Sequence, residues 1–375
     1  MASKAYTKDM GENAAELRTP GAPSARLRAM QQPAPARRRL PVLSGDLPPA
    51  ARQVVPATPP RTVRISLTDR CDLACVYCRP SRHDGYLEAR LGDDAWRAMI
   101  EALVRAGVRR VRITGGEPLL HPRVVDFVRH LASLALEDLA LTTNATRLDA
   151  LARPLRDAGL ARVTVSIDSL DAERFWRITR GGRLDRVLAG IEAARAARFD
   201  ELKINCVVLR GENDDEIERI TTWAWERGIT PRFIEVMRVG EGAKLPESKL
   251  FGAREMLARI AHLVAPGEAA RDPGRGPAKY LRAKHDPALR VGFITGTTDT
   301  YCKSCDRLRV ASDGMVRPCL ATNDGVAAKE LAERGDVDGL VDAVAQAWEM
   351  KPDGDVWKGC TESTAAQVSM RAIGG

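Results

Sequence analysis

No stretch of about eighteen consecutive apolar residues occurs in this sequence, which excludes a hydrophobic membrane-spanning helix and predicts a soluble chain. No secretory signal opens it, and outside two close groups cysteine is scarce, with only Cys206 and Cys360 standing apart. A disulfide framework is therefore excluded, and a reducing, cytoplasmic compartment is expected. Histidine is rarer still, at five in 375 residues, and His83 alone lies near enough in sequence to complete a local metal site with the first cysteines.

The net charge of +8 invites a nucleic-acid partner, but its distribution argues against one. Residues 1–60 carry nine basic and four acidic side chains, so the remaining 315 residues hold a near-balanced 49 and 46. That first segment also has ten prolines, many alanines and no sustained helical or strand period, which is the composition of a flexible extension. Arg37, Arg38 and Arg39 read as a solvated basic stretch, and Asp9, Glu12 and Glu16 argue against a transit peptide. Neither nucleic acid nor a membrane is an expected partner.

The cysteines that are present are more specific. Cys71, Cys75 and Cys78 follow a strand-like run at 63–67. Three thiolates hold three irons of a four-iron cubane and leave one iron open to a small molecule. The molecule associated with this spacing is S-adenosylmethionine, whose amino and carboxylate groups chelate that iron; one electron pushed into the sulfonium then releases a 5′-deoxyadenosyl radical. Structural zinc competes, but closed zinc sites take four ligands and His83 sits in a polar loop. A second group, Cys302, Cys305 and Cys319, again offers three thiolates, beside Arg307, Arg309 and Arg317, which favour thiolate and attract anions. Taken alone this group suits either zinc completed from elsewhere or a cluster. Beside the first group, a second cluster is the expectation.

From residue 61, short β-branched runs alternate with helical periods. Strands are predicted at 63–67, 108–114, 138–143, 162–167, 202–209 and 231–237, and helices at 93–106, 123–134, 147–158, 184–197 and 214–227. Gly107, Gly159 and Gly228 each stand where a helix should stop. The repeat calls for an α/β fold with a parallel sheet. The notable groups follow strand ends, as active residues do in barrels: the cysteine loop, then Gly115, Gly116, Glu117 and Pro118, then Thr142, Thr143 and Asn144, then Ser166 and Asp168, then Met237. A partial six-unit barrel is expected over 61–245. A C-terminal module over 246–375, with strands at 279–282 and 290–295 and helices at 326–334 and 337–348, is expected to carry the second cysteines and close the barrel's open side. Glycines at the 115–116 strand end would let backbone groups approach a ligand closely.

Several segments taken in order carry a family resemblance: 64–78, 112–118, 141–144, 165–168, 203–205, 232–235, 302–309 and the terminal Gly374 and Gly375. From about residue 61 to the end, the chain resembles the radical S-adenosylmethionine GTP 3′,8-cyclases of molybdenum cofactor biosynthesis. The resemblance implies two [4Fe–4S] clusters, one on Cys71, Cys75 and Cys78 and one on Cys302, Cys305 and Cys319. It implies S-adenosylmethionine contacts from Tyr77, Gly116, Ser166 and Met237, and GTP contacts from Arg64, Arg112, Thr142, Lys203, Arg232, Arg307, Leu308 and Arg309. The implied reaction begins when the 5′-deoxyadenosyl radical takes the 3′ hydrogen of GTP. The ribose radical attacks C8, and one-electron reduction with protonation gives (8S)-3′,8-cyclo-7,8-dihydroguanosine 5′-triphosphate. Gly374 and Gly375 would reach into the site. An electron donor such as flavodoxin or ferredoxin, hand-over to cyclic pyranopterin monophosphate synthase and a homodimer are also consistent with the resemblance.

Some residues depart from the family pattern. Arg79 stands where an apolar residue is common, the stretch 351–364 with Trp357 and Cys360 differs, and the aromatic residue often found soon after Gly240, Glu241 and Gly242 is absent. These departures leave open a related enzyme acting by radical chemistry on another substrate, such as a peptide. Cys206, inside an apolar run, reads as a core residue, and Cys360 as either an unligated thiol or a ligand to the second cluster's fourth iron.

Overall fold

The computed structural model describes residues 59–272, 276–298, 301–302, 305–352, 365–367 and 369–374. Cys360, Gly375 and the 1–60 extension apart from its last two residues lie outside the described set.

Alternation of side chains along each strand decides what the sheet encloses. In β1 (Thr62–Ser66), Val63 and Ile65 are fully buried while Arg64 takes the opposite face. The pattern repeats in β2 (Arg110–Thr114), β3 (Asp138–Thr143), β4 (Arg162–Ser166), β5 (Glu201–Val208) and β6 (Thr230–Glu235). Outward residues such as Ile113, Leu141, Val165, Ile204 and Phe233 form one apolar core with the helices that return each strand. Those helices are α1 (Asp93–Arg105), α2 (Val124–Ala132), α3 (Leu148–Asp157), α4 (Ala172–Thr179), α5 (Leu184–Ala197) and α6 (Ile217–Trp225). Inward residues, among them Arg64, Arg112, Thr142, Ser166 and Arg232, line a cavity. A parallel sheet covered by helices on both faces carries near-continuous apolar strands. The alternation here marks a sheet with a wet inner face, the partial barrel that the sequence led us to expect.

The six barrel strands pair in chain order, and the C-terminal strands extend the sheet at both edges. After α7 (Glu241–Lys244) and α8 (Ala253–Ile260) come β7 (Ala270–Arg271), β8 (Lys279–Arg282) and β9 (Arg290–Ile294), with β9 parallel to β6. At the other edge β10 (Arg307–Val310) lies parallel to β1, followed outward by β11 (Met315–Arg317) and β12 (Val326–Ala327). The chain then forms α9 (Lys329–Glu333) and α10 (Val337–Glu349), and ends in the short α11 (Met370–Ile373), which contacts β1.

Most predicted elements are present, and the differences have local causes. Gly107, Gly159 and Gly228 adopt φ of 103°, 99° and 68° and stop helices as expected. The strand expected from 108 begins at Arg110, because Val108 donates back to the Leu103 carbonyl and closes the α1 terminus. The helix expected over 326–334 starts later, since Val326 and Ala327 pair with Val316 and Met315. α4 was not anticipated. It lies between β4 and α5 and begins at the Asp171 side chain, which accepts the Arg174 amide.

Helix α5 approaches the turn before α3 at Gly190, where an added Cβ would lie 2.4 Å from the Ala145 carbonyl oxygen. Gly190→Ala is therefore expected to lower stability by about 1–3 kcal/mol through overpacking, despite alanine's better helix propensity. Chemical denaturation checks this, and a neutral or stabilising effect would refute the close packing.

Candidate active site

The cysteine loop is held from three sides. Within it, the Cys78 and Arg79 amides donate to the Cys75 carbonyl at 2.9 and 3.1 Å. The end of α4 supplies carbonyls, with Ala74 donating to Thr179 at 3.1 Å and Val76 to Ile178 at 3.0 Å. The loop after β2 packs underneath, where Gly116 donates to the Thr68 carbonyl at 2.6 Å and Glu117 to that of Arg70 at 2.7 Å. A Cβ on Gly116 would lie 2.3 Å from the Arg70 oxygen, so the glycine is demanded by loop-on-loop contact as well as by any ligand.

Cys71, Cys75 and Cys78 all face the cavity. Burial pushes each thiol up, Cys78 to about 11, so an unligated loop would hold neutral thiols. A metal cluster supplies the positive charge that releases such protons, and three thiols from one loop on one cavity are the donor set it takes. His83 is exposed and does not line the cavity, so it does not complete a zinc site there.

Cys302, Cys305 and Cys319 line an adjoining space that shares Tyr301, Arg307, Arg309 and Leu320 with the main cavity. At Cys305 the electrostatics are opposite. Burial raises the Cys305 thiol, but Arg307 and Lys351 outweigh it and bring the thiol down to about 7. Arg307 Nε donates to Cys305 Sγ at 3.2 Å, and the Ala321 amide to Cys319 Sγ at 3.3 Å. Cys305 is readied for thiolate ligation.

Between the two sets runs a wall of guanidiniums. Arg309, Arg64 and Arg112 are register partners across β10, β1 and β2, and Arg232 comes from β6. Among the described residues none of these four, nor Arg307, pairs with a carboxylate, whereas Arg162 at the barrel's far end meets Asp138 at 2.6 Å and Glu201 at 3.0 Å. Burial and the neighbouring Arg309 and Arg112 push Arg64 well below the usual arginine range, and burial with Arg232 brings Arg112 down to about 9. Arg232 Nε and Asn205 Oδ1 are buried at the cavity without hydrogen-bond partners among the described residues. Such a wall fits a polyanion that brings its own acceptors.

The chain end returns to this space. Ser66 Oγ donates to the Arg371 carbonyl at 3.2 Å, and Arg309 donates to the carbonyls of Ile373, at 3.0 Å, and Gly374. Gly374 has φ of +72°, and a Cβ there would lie 2.3 Å from Thr114 Cγ2.

Comparison with known proteins agrees with this geometry. Residues 65–224 match the Radical SAM superfamily and residues 229–357 the Molybdenum Cofactor Synthesis C family. The chain is 39% identical over 295 residues to GTP 3′,8-cyclase 1 of Pseudomonas aeruginosa, covering 77% of this chain and 89% of that one. It is 38% identical to the GTP 3′,8-cyclase of Pelotomaculum thermopropionicum, covering 78% and 91%. The chain belongs to the GTP 3′,8-cyclase family. Among solved structures, Streptococcus suis SuiB bound to S-adenosylmethionine shares the fold, with a TM-score of 0.58 at 16% identity, over 80% of this chain and 77% of that one. Membership of the radical superfamily carries with it an iron–sulfur cluster and S-adenosylmethionine.

For a member of the GTP 3′,8-cyclase family, most of the residues singled out in the sequence converge. Tyr77, Gly116, Ser166 and Met237 line the cavity, and so do Arg64, Arg112, Thr142, Arg232, Arg307 and Arg309. Tyr77 donates to Asp168 at 2.7 Å, and Asp168 also accepts the Val207 amide at 2.8 Å, which fixes the phenol. Two residues do not reach the cavity surface. Lys203 pairs with Glu201 at 2.9 Å and donates to Tyr280 at 3.2 Å, and Leu308 points into the apolar core between its two arginines. Cys206 is core, as expected.

Sequence reading missed Tyr301, which donates to the Met237 thioether at 3.5 Å, and Arg371, which lines the cavity. It also missed Thr164, which accepts from Arg232 at 3.1 Å and from Arg112 at 3.4 Å. Period-two spacing from Arg162 and Ser166 places Thr164 on the inner face; nothing comparable marks Tyr301.

Glu117 ties the cavity's first rim together, accepting from Leu119 N at 2.9 Å, Thr143 Oγ1 at 2.7 Å and Asn144 N at 2.6 Å. Burial raises its carboxyl from 4.5 to about 7. Between those pH values the folded state keeps a proton that the unfolded chain releases, so this residue makes stability fall as pH rises through the window. Glu117→Gln should remove that slope and cost about 1–3 kcal/mol, because its amide nitrogen faces donors. Unfolding of variant and wild type across the window checks both, and an unchanged slope would refute the assignment.

Proposed function

We propose that Cys71, Cys75 and Cys78 hold the cluster that binds S-adenosylmethionine, that Cys302, Cys305 and Cys319 hold a second [4Fe–4S] cluster, and that GTP lies between them along the arginine wall. As a member of its family the chain is a GTP 3′,8-cyclase of molybdenum cofactor biosynthesis, forming (8S)-3′,8-cyclo-7,8-dihydroguanosine 5′-triphosphate by radical S-adenosylmethionine chemistry. The observation that carries the residue assignment is the shared boundary of the two cysteine-lined spaces, built from Tyr301, Arg307, Arg309 and Leu320. A substrate on that boundary touches both ends at once. A cluster held by Cys71, Cys75 and Cys78 would supply the reducing electron for S-adenosylmethionine, and one held by Cys302, Cys305 and Cys319 would supply a site for the base.

The protein's own groups then bind and orient. Arg64, Arg112, Arg232 and Arg309 take the triphosphate, whose charge relieves their mutual repulsion and whose oxygens accept from the unpartnered Arg232 Nε. Tyr77, fixed by Asp168, together with Ser166 and Met237, would hold S-adenosylmethionine in the cavity that also takes the nucleotide. The tail, with Gly374 between Arg309 and Thr114, closes the space around the ribose and excludes water. An uncompensated cationic wall suits a nucleotide better than a peptide.

Anaerobic reconstitution tests the reading. Wild type should take up about eight irons per chain and form the cyclic nucleotide from GTP. Cys302→Ser, Cys305→Ser or Cys319→Ser should leave the first cluster and S-adenosylmethionine cleavage in place while cyclisation drops at least about a hundredfold, on the scale of losing a substrate-orienting contact. Four irons in the wild type, or full cyclisation by those variants, would overturn the assignment. Gly374→Ala, which forces the tail off Thr114, should keep both clusters and lose turnover; retained turnover would remove the tail from the mechanism.

A further inference from the structure

The end of the chain is fastened to the first cysteine loop by one side chain. The guanidinium of Arg371 pairs with Asp84 at 2.8 Å, donates to the carbonyls of Gly85 and, at 3.5 Å, of Asp69, and lies 4.7 Å from the centre of the Tyr86 ring. Asp84 is shared. Arg79 Nε donates to it at 2.8 Å, while Arg79 Nη1 holds the carbonyls of Cys71 and Leu73, each at 3.3 Å, and this guanidinium lies 5.2 Å from the same Tyr86 ring. Arg79 and Arg371 are each only 2% exposed. Two buried cations around one carboxylate leave net positive charge against the loop.

That charge sits beside a cysteine. Arg371 lines the same cavity as Cys71, Cys75 and Cys78, and its guanidinium reaches the Asp69 carbonyl, two residues before Cys71. Arg79 follows Cys78 directly and its guanidinium holds the Cys71 carbonyl, so both cations lie against the loop that carries the three cysteines. Nearby charge is one of the main determinants of an iron–sulfur potential.

We propose that Arg371 is a positioning residue that joins seating of the C-terminal tail to the redox poise of the first cluster, making that cluster easier to reduce when the tail is in place. One electron from an external low-potential donor adds negative charge to the cluster, and the net cationic charge completed by the tail stabilises the reduced form. The same tail is held at its other end by Arg309 in the nucleotide wall, through the Ile373 and Gly374 carbonyls. One short helix therefore links the substrate side to the end where the radical is made, and an unseated tail leaves the cluster harder to reduce. The inference rests on the proposed ligation by Cys71, Cys75 and Cys78.

The test is a redox titration of the reconstituted full chain, following by electron paramagnetic resonance the reduced-cluster signal that changes on adding S-adenosylmethionine. Arg371→Gln and a chain ending at Ser369 should both shift the midpoint to lower potential, while Arg371→Lys, which keeps the charge, should stay close to wild type. Hydrogen exchange of the amides at 370–373 should quicken at least tenfold in Arg371→Gln. An unmoved midpoint in both Arg371→Gln and the shortened chain, or a lysine variant shifted as far as the glutamine one, would overturn the inference; so would unchanged exchange. Where Arg371→Gln takes up no iron, the shortened chain carries the comparison. A wild-type protein without any signal sensitive to S-adenosylmethionine would instead refute the ligation itself.

Discussion

Three guanidiniums on neighbouring strands, those of Arg309, Arg64 and Arg112, share one register row across β10, β1 and β2 with no carboxylate pairing among the described residues. At a strand spacing of about 4.8 Å, two unit charges repel by roughly 3 kcal/mol at an effective dielectric near 20. The rest of the barrel is arranged to hold the row in place: Val63, Ile65, Val111, Ile113, Leu308 and Val310 on the reverse face of the same three strands are all buried in the main core. The protein accepts an inner wall of unbalanced charge because its outer face supplies the cohesion, and the unbalanced charge is what makes the cavity a place for a polyanion.

The same constraint explains why the C-terminal residues surround the barrel instead of forming a separate lid. β10 brings Arg307 and Arg309 alongside β1, and β9 follows β6 on the other edge, so second-half residues enter the wall as strands with a fixed register. Strand pairing positions a side chain more tightly than a loop would. Cys302 and Cys305 precede β10 directly and Cys319 follows β11, so the second thiol set is hung from the strands that carry the cations. The thiol chemistry and the anion chemistry share one scaffold.

What the sequence disclosed follows from how local each signal is. Cys71, Cys75 and Cys78 are visible as a spacing because one loop supplies them all, and the alternating strands are visible because period two is written in adjacent residues. β10 was hidden because Arg307 to Val310 reads as a charge run until β1 is known to lie beside it. α4 was hidden because its apolar face is narrow, with Phe175 and Ile178 buried and Trp176 exposed. Its consequence is not small, since its last carbonyls hold the cysteine loop. Lys203 shows the opposite case: its motif is plain in sequence, but only the fold reveals Glu201 and Tyr280 as its partners.

Arg79 was the residue whose charge fitted the family pattern least, and the fold accounts for it. A lone buried guanidinium beside the cysteine loop would be costly, because nothing would offset its desolvation. Asp84 and the carbonyls of Cys71, Leu73 and Arg82 supply the offset, and Arg371, from the far end of the chain, uses the same carboxylate. The departure is thus one half of a two-cation arrangement whose other half lies immediately before the terminal Ala372, Ile373 and Gly374. Neither arginine is intelligible from its own neighbourhood in sequence. Together with Asp84 they turn an apparent anomaly in the cluster loop into the point at which the chain end is held.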